Sequence, residues 1–352
     1  MNNNILITGI SQGDINGISY EMIIKTFEDA RMMEKNTPVL YGSSKVLAYH
    51  RKAMDLPQIN FNIITDINDV GANRLNIINC VTEDIVVELS KPAPEAESMA
   101  QKAMERALDD LKNGHTDALV LAPSTVDEIL LLESFSGIKP LKIFVSESLR
   151  IALSTAKIPL ANVSEQLTAE LVAAQLRTLH FSLVHDFMLT LTRIAVLSFN
   201  PDKGVKEQQY GKEESEVLLP AIKAVENEGI ACFGPYSAED FFSSGDFQKF
   251  DAILALHYSQ GAIPFRLLSH SEGVVFFAGM PYVITAPDTS VSFPLAGRNE
   301  SSETALRHAL YLAEDICSTR KIDKEIRANP LCRQSVERSS DNEKLDLTKD
   351  EE

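Results

Sequence analysis

Short apolar, β-branched runs alternate with amphipathic helical stretches along most of this 352-residue chain. The predicted strands are residues 5–10, 38–41, 118–122, 150–156, 194–199, 230–233 and 252–256. Several of these runs are apolar throughout, which is typical of strands that helices cover on both faces. Helices are predicted from Ser19 onward and over residues 95–112, 213–228 and 302–317. The alternation predicts an α/β fold with a mostly parallel sheet and flanking helices.

The last part of the chain has a different composition. Residues 321–352 are polar, charged and without aromatic side chains. Because so little apolar surface is available to offset the entropy of ordering, we predict that this segment is a disordered tail.

The charge of the chain limits its partners. It has 33 Lys and Arg against 50 Asp and Glu, a net charge of −17, which argues against binding to nucleic acid or to a membrane surface. A small anionic molecule remains a candidate ligand, since a local cluster of cations can outweigh the global charge. We find neither an apolar run long enough to span a membrane nor the pattern of a secretion signal.

The four cysteines indicate the compartment. Cys80, Cys232, Cys317 and Cys332 form no CxxC pair and no disulfide framework spacing. Reduced thiols of this kind are typical of cytosolic proteins, so we predict a cytoplasmic location.

A glycine-containing turn follows the first predicted strand and precedes a helix. Gly13 and Gly17 permit a tight turn, and the N–H groups at the start of the following helix favour an anion. The turn matches neither GxGxxG nor a P-loop. By itself it is either an anion-binding turn or a simple topological connection, and the residue pattern leaves both open.

The same turn carries a family motif. Gly13, Asp14, Gly17, Ile18 and Glu21 form G-D-x-x-G-[IV]-x-x-E, which resembles the opening motif of the 4-hydroxythreonine-4-phosphate dehydrogenase (PdxA) family. The resemblance continues in order to about residue 318. Ala122-Pro123 matches part of the family motif T-A-P-I-N-K, and Ile158-Pro159 matches part of the family motif H-I-P. The remaining matches are residues 197–201 followed by Gly211, Glu213 and Glu214, then Gly234-Pro235, Gln260-Gly261, Asp288 and Ala296-Gly297-Arg298.

This resemblance implies a fold and an activity. Members of the family are homodimeric, NAD-dependent dehydrogenases of pyridoxal phosphate biosynthesis, and a divalent metal held by three histidines assists oxidation and decarboxylation. The implied fold is two-lobed and αβα, like that of isocitrate and isopropylmalate dehydrogenases. We expect residues 1–125 plus 285–320 to form the first lobe, and residues 126–284 to form the second lobe with the dimer interface.

The positions of the metal ligands depart from the family pattern. The three histidines correspond to Lys157, Asp202 and Tyr258, while His257 lies one residue early and so on the opposite face of a strand. We treat these four residues as the candidate catalytic positions. An ammonium, a carboxylate and a phenol suit a divalent ion poorly, so we expect no divalent metal. Lys157 and Asp202 either form an ion pair at the former metal position or both turn to solvent.

The resemblance also implies binding residues. Asp14 and Arg266 are candidates for substrate binding, although the other two phosphate-binding positions of the family are Val275 and Ile284 here. The loss of a polar donor and of an arginine fork weakens phosphate binding. The candidate NAD-binding residues are Gly211, Ala296, Gly297 and Arg298.

Three functions remain open from the sequence. The first is a non-catalytic paralogue that forms a homodimer, or a heterodimer with an active copy. The second is an NAD-dependent, metal-independent oxidoreductase acting on another small hydroxy acid, with Lys157 or His257 as acid/base. The third is the ancestral activity with unusual metal ligands.

Overall fold

The computed structural model describes residues 5–81, 86–201 and 211–328. The twelve strands in these ranges are β1 (Leu6–Ser11), β2 (Asn36–Gly42), β3 (Phe61–Ile64), β4 (Leu75–Asn79), β5 (Ala118–Leu121), β6 (Leu141–Val145), β7 (Arg150–Leu153), β8 (Ile194–Leu197), β9 (Cys232–Tyr236), β10 (Ala252–Ala255), β11 (Val274–Ala278) and β12 (Val283–Pro287).

Ten α-helices connect and cover these strands in the described ranges. They are α1 (Ser19–Glu28), α2 (Ser44–Ala53), α3 (Pro94–Lys112), α4 (Glu128–Ser136), α5 (Val163–Gln166), α6 (Ala169–His185), α7 (Leu219–Glu226), α8 (Ala238–Ser243), α9 (Tyr258–Ser269) and α10 (Thr304–Ala328). Short 3₁₀ turns lie at Ala30–Met33, Ile67–Asp69, Leu160–Asn162, Asp246–Lys249 and Phe293–Leu295, and a π-helical turn at Glu214–Leu218 precedes α7.

All twelve strands belong to one sheet in the order β3-β4-β2-β1-β5-β12-β11-β6-β7-β10-β8-β9. The strands from β3 to β12 in this order are parallel to each other, and so are the strands from β7 to β9. Between these two parallel sets, β11 and β6 run antiparallel to their neighbours. The predicted mostly parallel α/β sheet is therefore confirmed.

The core lies on both faces of the sheet. In β5, Val120 packs into one apolar cluster while Leu119 and Leu121 pack into the other. All three side chains are buried, as the continuous apolar run predicts for a strand that helices cover on both sides. The predicted lobe boundaries at residues 125 and 285 stay a prediction, because the sheet runs without a break through both parallel sets.

The end of the chain differs from the sequence-based prediction. Helix α10 begins at Thr304 and continues to Ala328, so the disordered tail predicted from residue 321 is wrong over residues 321–328. In this extension, Asp323 accepts hydrogen bonds from His185 on α6 and from Arg327 one turn later. Residues 329–352 lie outside the described residues, and so does Cys332.

Two further observations concern the whole described chain. Cys80, Cys232 and Cys317 are free thiols, as predicted. Among the helices of the described ranges, none combines the length and apolar character that crossing a membrane requires.

Candidate functional site

A cleft of about 1240 Å³ opens between the two parallel sets of strands. Its walls include residues 123–129, 139–142, 153–158 and 287–294, together with side chains from α6 and α9. Of the site residues predicted from the sequence, the cleft lining includes Lys157, Tyr258 and Arg266. Asp202 lies outside the described residues, so its pairing with Lys157 stays a prediction.

Lys157 and Tyr258 meet on one wall of this cleft. Lys157 lies in the loop that follows β7, and Tyr258 is the first residue of α9, which begins directly after β10. The Lys157 ammonium nitrogen lies 4.9 Å from the centre of the Tyr258 ring, within the range of a cation–π contact. The structure therefore brings together two of the three positions that the family resemblance assigns to metal-binding histidines.

Arg266 extends the same wall. It lies two turns after Tyr258 on α9, and its guanidinium donates 3.1 Å to the Tyr258 hydroxyl oxygen. Its Nε and Nη2 atoms donate to the two carboxylate oxygens of Asp288, at 2.8 and 2.6 Å. These hydrogen bonds from Arg266 to Asp288 raise the pKa of the arginine, because they stabilise its charged form.

His257 has a structural role at the start of α9. Its Nδ1 atom accepts the backbone N–H of Gln260 at 3.3 Å, which caps the helix. Burial lowers the pKa of His257 and so favours the neutral ring that this contact needs. Gln260 in turn donates to the carbonyl oxygen of Ser198. His257 is absent from the cleft lining among the described residues, so it is not placed to act on a ligand there.

The glycine turn after β1 is closed by other loops. The backbone N–H groups of Asp14 and Ile18 donate to the carbonyl oxygens of Pro123 and Val291. A β-carbon at Gly17 would lie 2.4 Å from a side-chain atom of Val291. Two backbone donors of the turn are used by other loops, and Val291 fills the space beside Gly17, which favours the topological connection over an anion-binding turn.

Asp14 is part of this packing rather than of the cleft wall. Its Oδ1 atom accepts the N–H of Asn16 at 2.8 Å, while its Oδ2 atom is buried without a hydrogen-bond partner in the described residues. Burial raises the pKa of Asp14. Asp14 does not line the cleft with Arg266, so the structure separates the two predicted substrate-binding residues.

The predicted NAD-binding residues lie in two different packing environments. Gly211 packs closely against Asn200 and Glu214, and Asn200 donates from its backbone and its side chain to the Glu214 carboxylate. In the other group, Gly297 packs against Leu89 with φ at +78°, and Arg298 is exposed. Neither group belongs to the cleft lining in the described ranges.

Whether a divalent metal can bind here depends on the donor groups at the positions that the resemblance assigns to metal ligands. At the two family metal positions that the structure describes, the groups are an ammonium and a phenol, which are poor ligands for such an ion. No cluster of three or more His, Cys, Asp or Glu side chains that could hold a metal is found in the described residues. Asp202, the third position that the resemblance implies, lies outside the described residues, so the absence of a divalent metal stays a prediction.

Several cleft residues were not singled out as site residues from the sequence. Besides Asp288, they include Lys142 and Glu128, which form an ion pair at 3.2 Å. Asp288 entered the sequence analysis only as one of the positions that match the family. No local spacing relates it to Arg266, because the two residues are 22 positions apart.

Comparisons with known proteins point to one family. The family model described as pyridoxal phosphate biosynthetic protein PdxA matches residues 34–313. A protein of Bacteroides thetaiotaomicron named 4-hydroxythreonine-4-phosphate dehydrogenase is 41% identical, covering 99% of this chain and 98% of its own. A protein of the same name from Sulfurihydrogenibium sp. is 30% identical, covering 86% of this chain and 96% of its own.

Solved structures resemble the fold as well. The crystal structure of a 4-hydroxythreonine-4-phosphate dehydrogenase from Klebsiella pneumoniae superimposes with a TM-score of 0.76 at 22% identity, covering 90% of this chain and 99% of that one. A structure described as a putative enzyme of the same name from Salmonella typhimurium gives a TM-score of 0.72 at 21% identity, covering 88% of this chain and 99% of that one. At these identities the likeness concerns the fold alone.

Proposed function

Because this chain belongs to the PdxA family of pyridoxal phosphate biosynthetic proteins, we propose that it is a divergent member with a specific defect. It keeps the family's cleft and binds a small anionic molecule there, but it does not carry out the metal-dependent oxidation. It then acts as a non-catalytic paralogue of an active dehydrogenase.

One observation carries this proposal. The Lys157 ammonium lies over the Tyr258 ring at two positions where the family has histidines. A positive charge at this place repels a divalent cation and attracts an anion. Without the metal, the developing charge on the substrate oxygens loses the Lewis acid that stabilises it.

The cleft also carries the cations that an anionic ligand needs. Lys139, Lys142, Lys157 and Arg266 all line it. Two of them are paired with acidic residues of the same cleft, namely Lys142 with Glu128 and Arg266 with Asp288. The ligand would therefore find local positive charge despite the net charge of −17 of the chain.

A second candidate function is the activity for which the relatives are named. The 41% identity to the Bacteroides thetaiotaomicron protein over nearly the whole of both chains favours it. NAD binding belongs to this candidate, with Gly211 and residues 296–298 as the proposed contacts. The metal-independent oxidoreductase has less support, because His257, one of its two candidate acid/base residues, caps α9.

A turnover assay tests the proposal. Purified protein is incubated with NAD and 4-hydroxythreonine-4-phosphate, with zinc, magnesium or manganese added in turn, and NADH is followed by absorbance. The Bacteroides thetaiotaomicron relative serves as the reference protein under the same conditions. We expect no NADH above background from this chain, and metal-dependent turnover would establish the second candidate instead. Calorimetric titration with NAD alone then tests cofactor binding separately.

The paralogue proposal includes assembly into a dimer. On the outer side of α9, Ile263 and Leu267 are 59% and 70% exposed and lie one turn apart. We take this exposed apolar pair as the candidate contact surface of the dimer. Light scattering of the wild type and of the Ile263→Glu, Leu267→Glu variant tests the homodimer, and co-purification with an active family member tests the heterodimer.

A further inference from the structure

Arg266 and Asp288 face each other inside the cleft, yet the two residues belong to different parts of the fold. Arg266 projects from α9, whereas Asp288 directly follows β12. Both line the cleft. We propose that Asp288 is an internal counter-anion, which occupies the Arg266 guanidinium until a phosphate or carboxylate group of a small ligand takes its place.

The geometry of the pair is that of an arginine bound to an oxyanion. Nε and Nη2 each donate to a different oxygen of Asp288, at 2.8 and 2.6 Å. This two-pronged arrangement is the one that guanidinium groups use for carboxylate and phosphate ligands. Asp288 therefore presents to Arg266 the same chemistry that an incoming ligand would present.

The two partners differ in their freedom to move. The Asp288 side chain is 6% exposed, and its backbone N–H is tied to the carbonyl oxygen of Gly273. The Arg266 side chain is 47% exposed and long. The exchange is therefore made by the arginine, which turns its fork from Asp288 toward the cleft while α9 stays in place.

Neighbouring groups keep Arg266 directed into the cleft. The Tyr258 hydroxyl accepts a hydrogen bond from Nη2, and the guanidinium lies 6.0 Å from the centre of the Phe144 ring. These contacts remain available to an arginine that has left Asp288. The exchange is unfavourable for Asp288, because its carboxylate then loses its cation in a place nearly without solvent.

This competition has a measurable consequence for binding. Any external anion must displace an internal one that is already well placed, so its apparent affinity is lower than the cations of the cleft would suggest. The inference rests on the proposed function only in taking this cleft as the ligand site.

The test compares phosphate binding to the wild type and to the Asp288→Asn variant. Inorganic phosphate is titrated by ³¹P NMR line broadening, and succinate is titrated by calorimetry, with neither NAD nor metal present. Asparagine keeps the shape of the side chain but not its charge, so we expect the affinity for at least one of the two anions to rise about tenfold or more. The anion that responds identifies which oxyanion the site prefers.

Three further variants complete the test. Glu128→Gln removes the same charge from the same cleft and frees Lys142, which has no planar fork, so we expect less than about a threefold gain. The double variant Arg266→Gln, Asp288→Asn should lose the gain, because the freed arginine is absent. Asp288→Ser is a second neutral replacement, for use if Asp288→Asn does not fold.

An unchanged affinity in both neutral variants of Asp288 would overturn the proposal, and so would a gain that persists without Arg266. These measurements contain no turnover step. Catalysis by this chain would refute the proposed function without affecting the exchange at Arg266, and the absence of exchange would leave the proposed function standing.

Discussion

The ammonium nitrogen of Lys157 lies 4.9 Å from the centre of the Tyr258 ring, although the two residues are 101 positions apart in the chain. The contact joins the loop after β7 to the first turn of α9. The family resemblance assigns each residue to a position of a metal-binding histidine. If that assignment holds, a cation held on an aromatic ring stands where imidazole ligands would bind a metal ion.

The first prediction places histidines at the three positions that the family resemblance assigns to metal ligands. The triple variant Lys157→His, Asp202→His, Tyr258→His should bind zinc, because three neutral imidazoles are a familiar ligand set for this ion. We expect about one zinc ion per chain after dialysis against zinc, measured by atomic emission, and no stoichiometric zinc in the wild type.

The matched control is the double variant Lys157→Gln, Tyr258→Phe, which removes the cation–π contact without adding ligands. If the wild type or this control retains zinc as well as the triple variant does, the inference that the ancestral metal site is lost is wrong. Thermal unfolding of all three proteins checks that the fold is intact.

The second prediction concerns two glycines that have similar backbone φ angles but different surroundings. Gly13 and Gly114 have φ values of +67° and +74°, so alanine is strained at both and costs about 1–2 kcal/mol for the backbone alone. A β-carbon at Gly13 would lie 2.4 Å from the carbonyl oxygen of Pro123, whereas no atom lies within 4 Å of one at Gly114.

Gly13→Ala should therefore be less stable than Gly114→Ala by at least about 2 kcal/mol in urea unfolding, because overpacking adds to the strain. The same carbonyl oxygen accepts the Ser19 hydroxyl and the Asp14 N–H, and both bonds would be displaced. An equal decrease in the free energy of unfolding in the two variants would show that the turn at Gly13 accommodates the β-carbon without additional cost.

The sheet could be predicted from the sequence only in part. Strands such as β5 and β10 are short and apolar throughout, so the pattern indicates them directly. Among the described strands, β3 pairs with β4 alone, at the edge of the sheet. Ile63 on β3 is 54% exposed, so the apolar pattern of this strand is weaker. The apolar residues around Gly279 form β11 and β12, but a continuous apolar run does not distinguish two strands from a buried helix.

The site was harder to predict than the fold. Lys157, Tyr258 and Arg266 were found because they occupy positions of a family pattern. Asp288 was not singled out, since its role depends on the meeting of α9 with the end of β12, and no local spacing encodes that meeting. His257 was predicted beside the site, but whether a polar residue at a strand end caps a helix or contacts a ligand depends on where the next element begins.

The third prediction concerns the contact between α10 and α6. Arg320 Nε lies 2.6 Å from Asp186 Oδ1, and the Asp186 side chain is 2% exposed. Arg320→Met would leave that carboxylate buried with the Ser182 hydroxyl but without a cation. Removing one partner of such a pair is costly, so we expect a loss of about 2–4 kcal/mol in the free energy of unfolding.

Arg327 provides the control on the same helix. It also pairs with an aspartate, Asp323, but the arginine side chain is 55% exposed. Arg327→Met should change the free energy of unfolding by less than about 1 kcal/mol, since exposed pairs contribute little. If Arg320→Met lowers the free energy of unfolding no more than this control does, the contact between Arg320 and Asp186 does not hold α10 on α6.

The fourth prediction is a dependence of stability on pH that arises at His50. This side chain is buried, its Nε2 atom lies 2.7 Å from the carbonyl oxygen of Ile15, and its Nδ1 atom has no partner in the described part of the chain. Nε2 therefore carries the proton, and a second proton on Nδ1 would be buried without an acceptor. Burial lowers the pKa of His50 below the ordinary value of 6.5.

The sign of the effect follows from proton counting. Below pH 6.5 the unfolded chain takes up a proton at His50 before the folded chain does, so the free energy of unfolding falls as the pH falls. One such group contributes up to about 1.4 kcal/mol per pH unit. His50→Gln keeps a donor for the Ile15 carbonyl but does not titrate. Urea unfolding between pH 7.5 and 5.5 should therefore show a shallower pH dependence in this variant than in the wild type, and parallel curves would mean that His50 gains its proton without cost in the folded state.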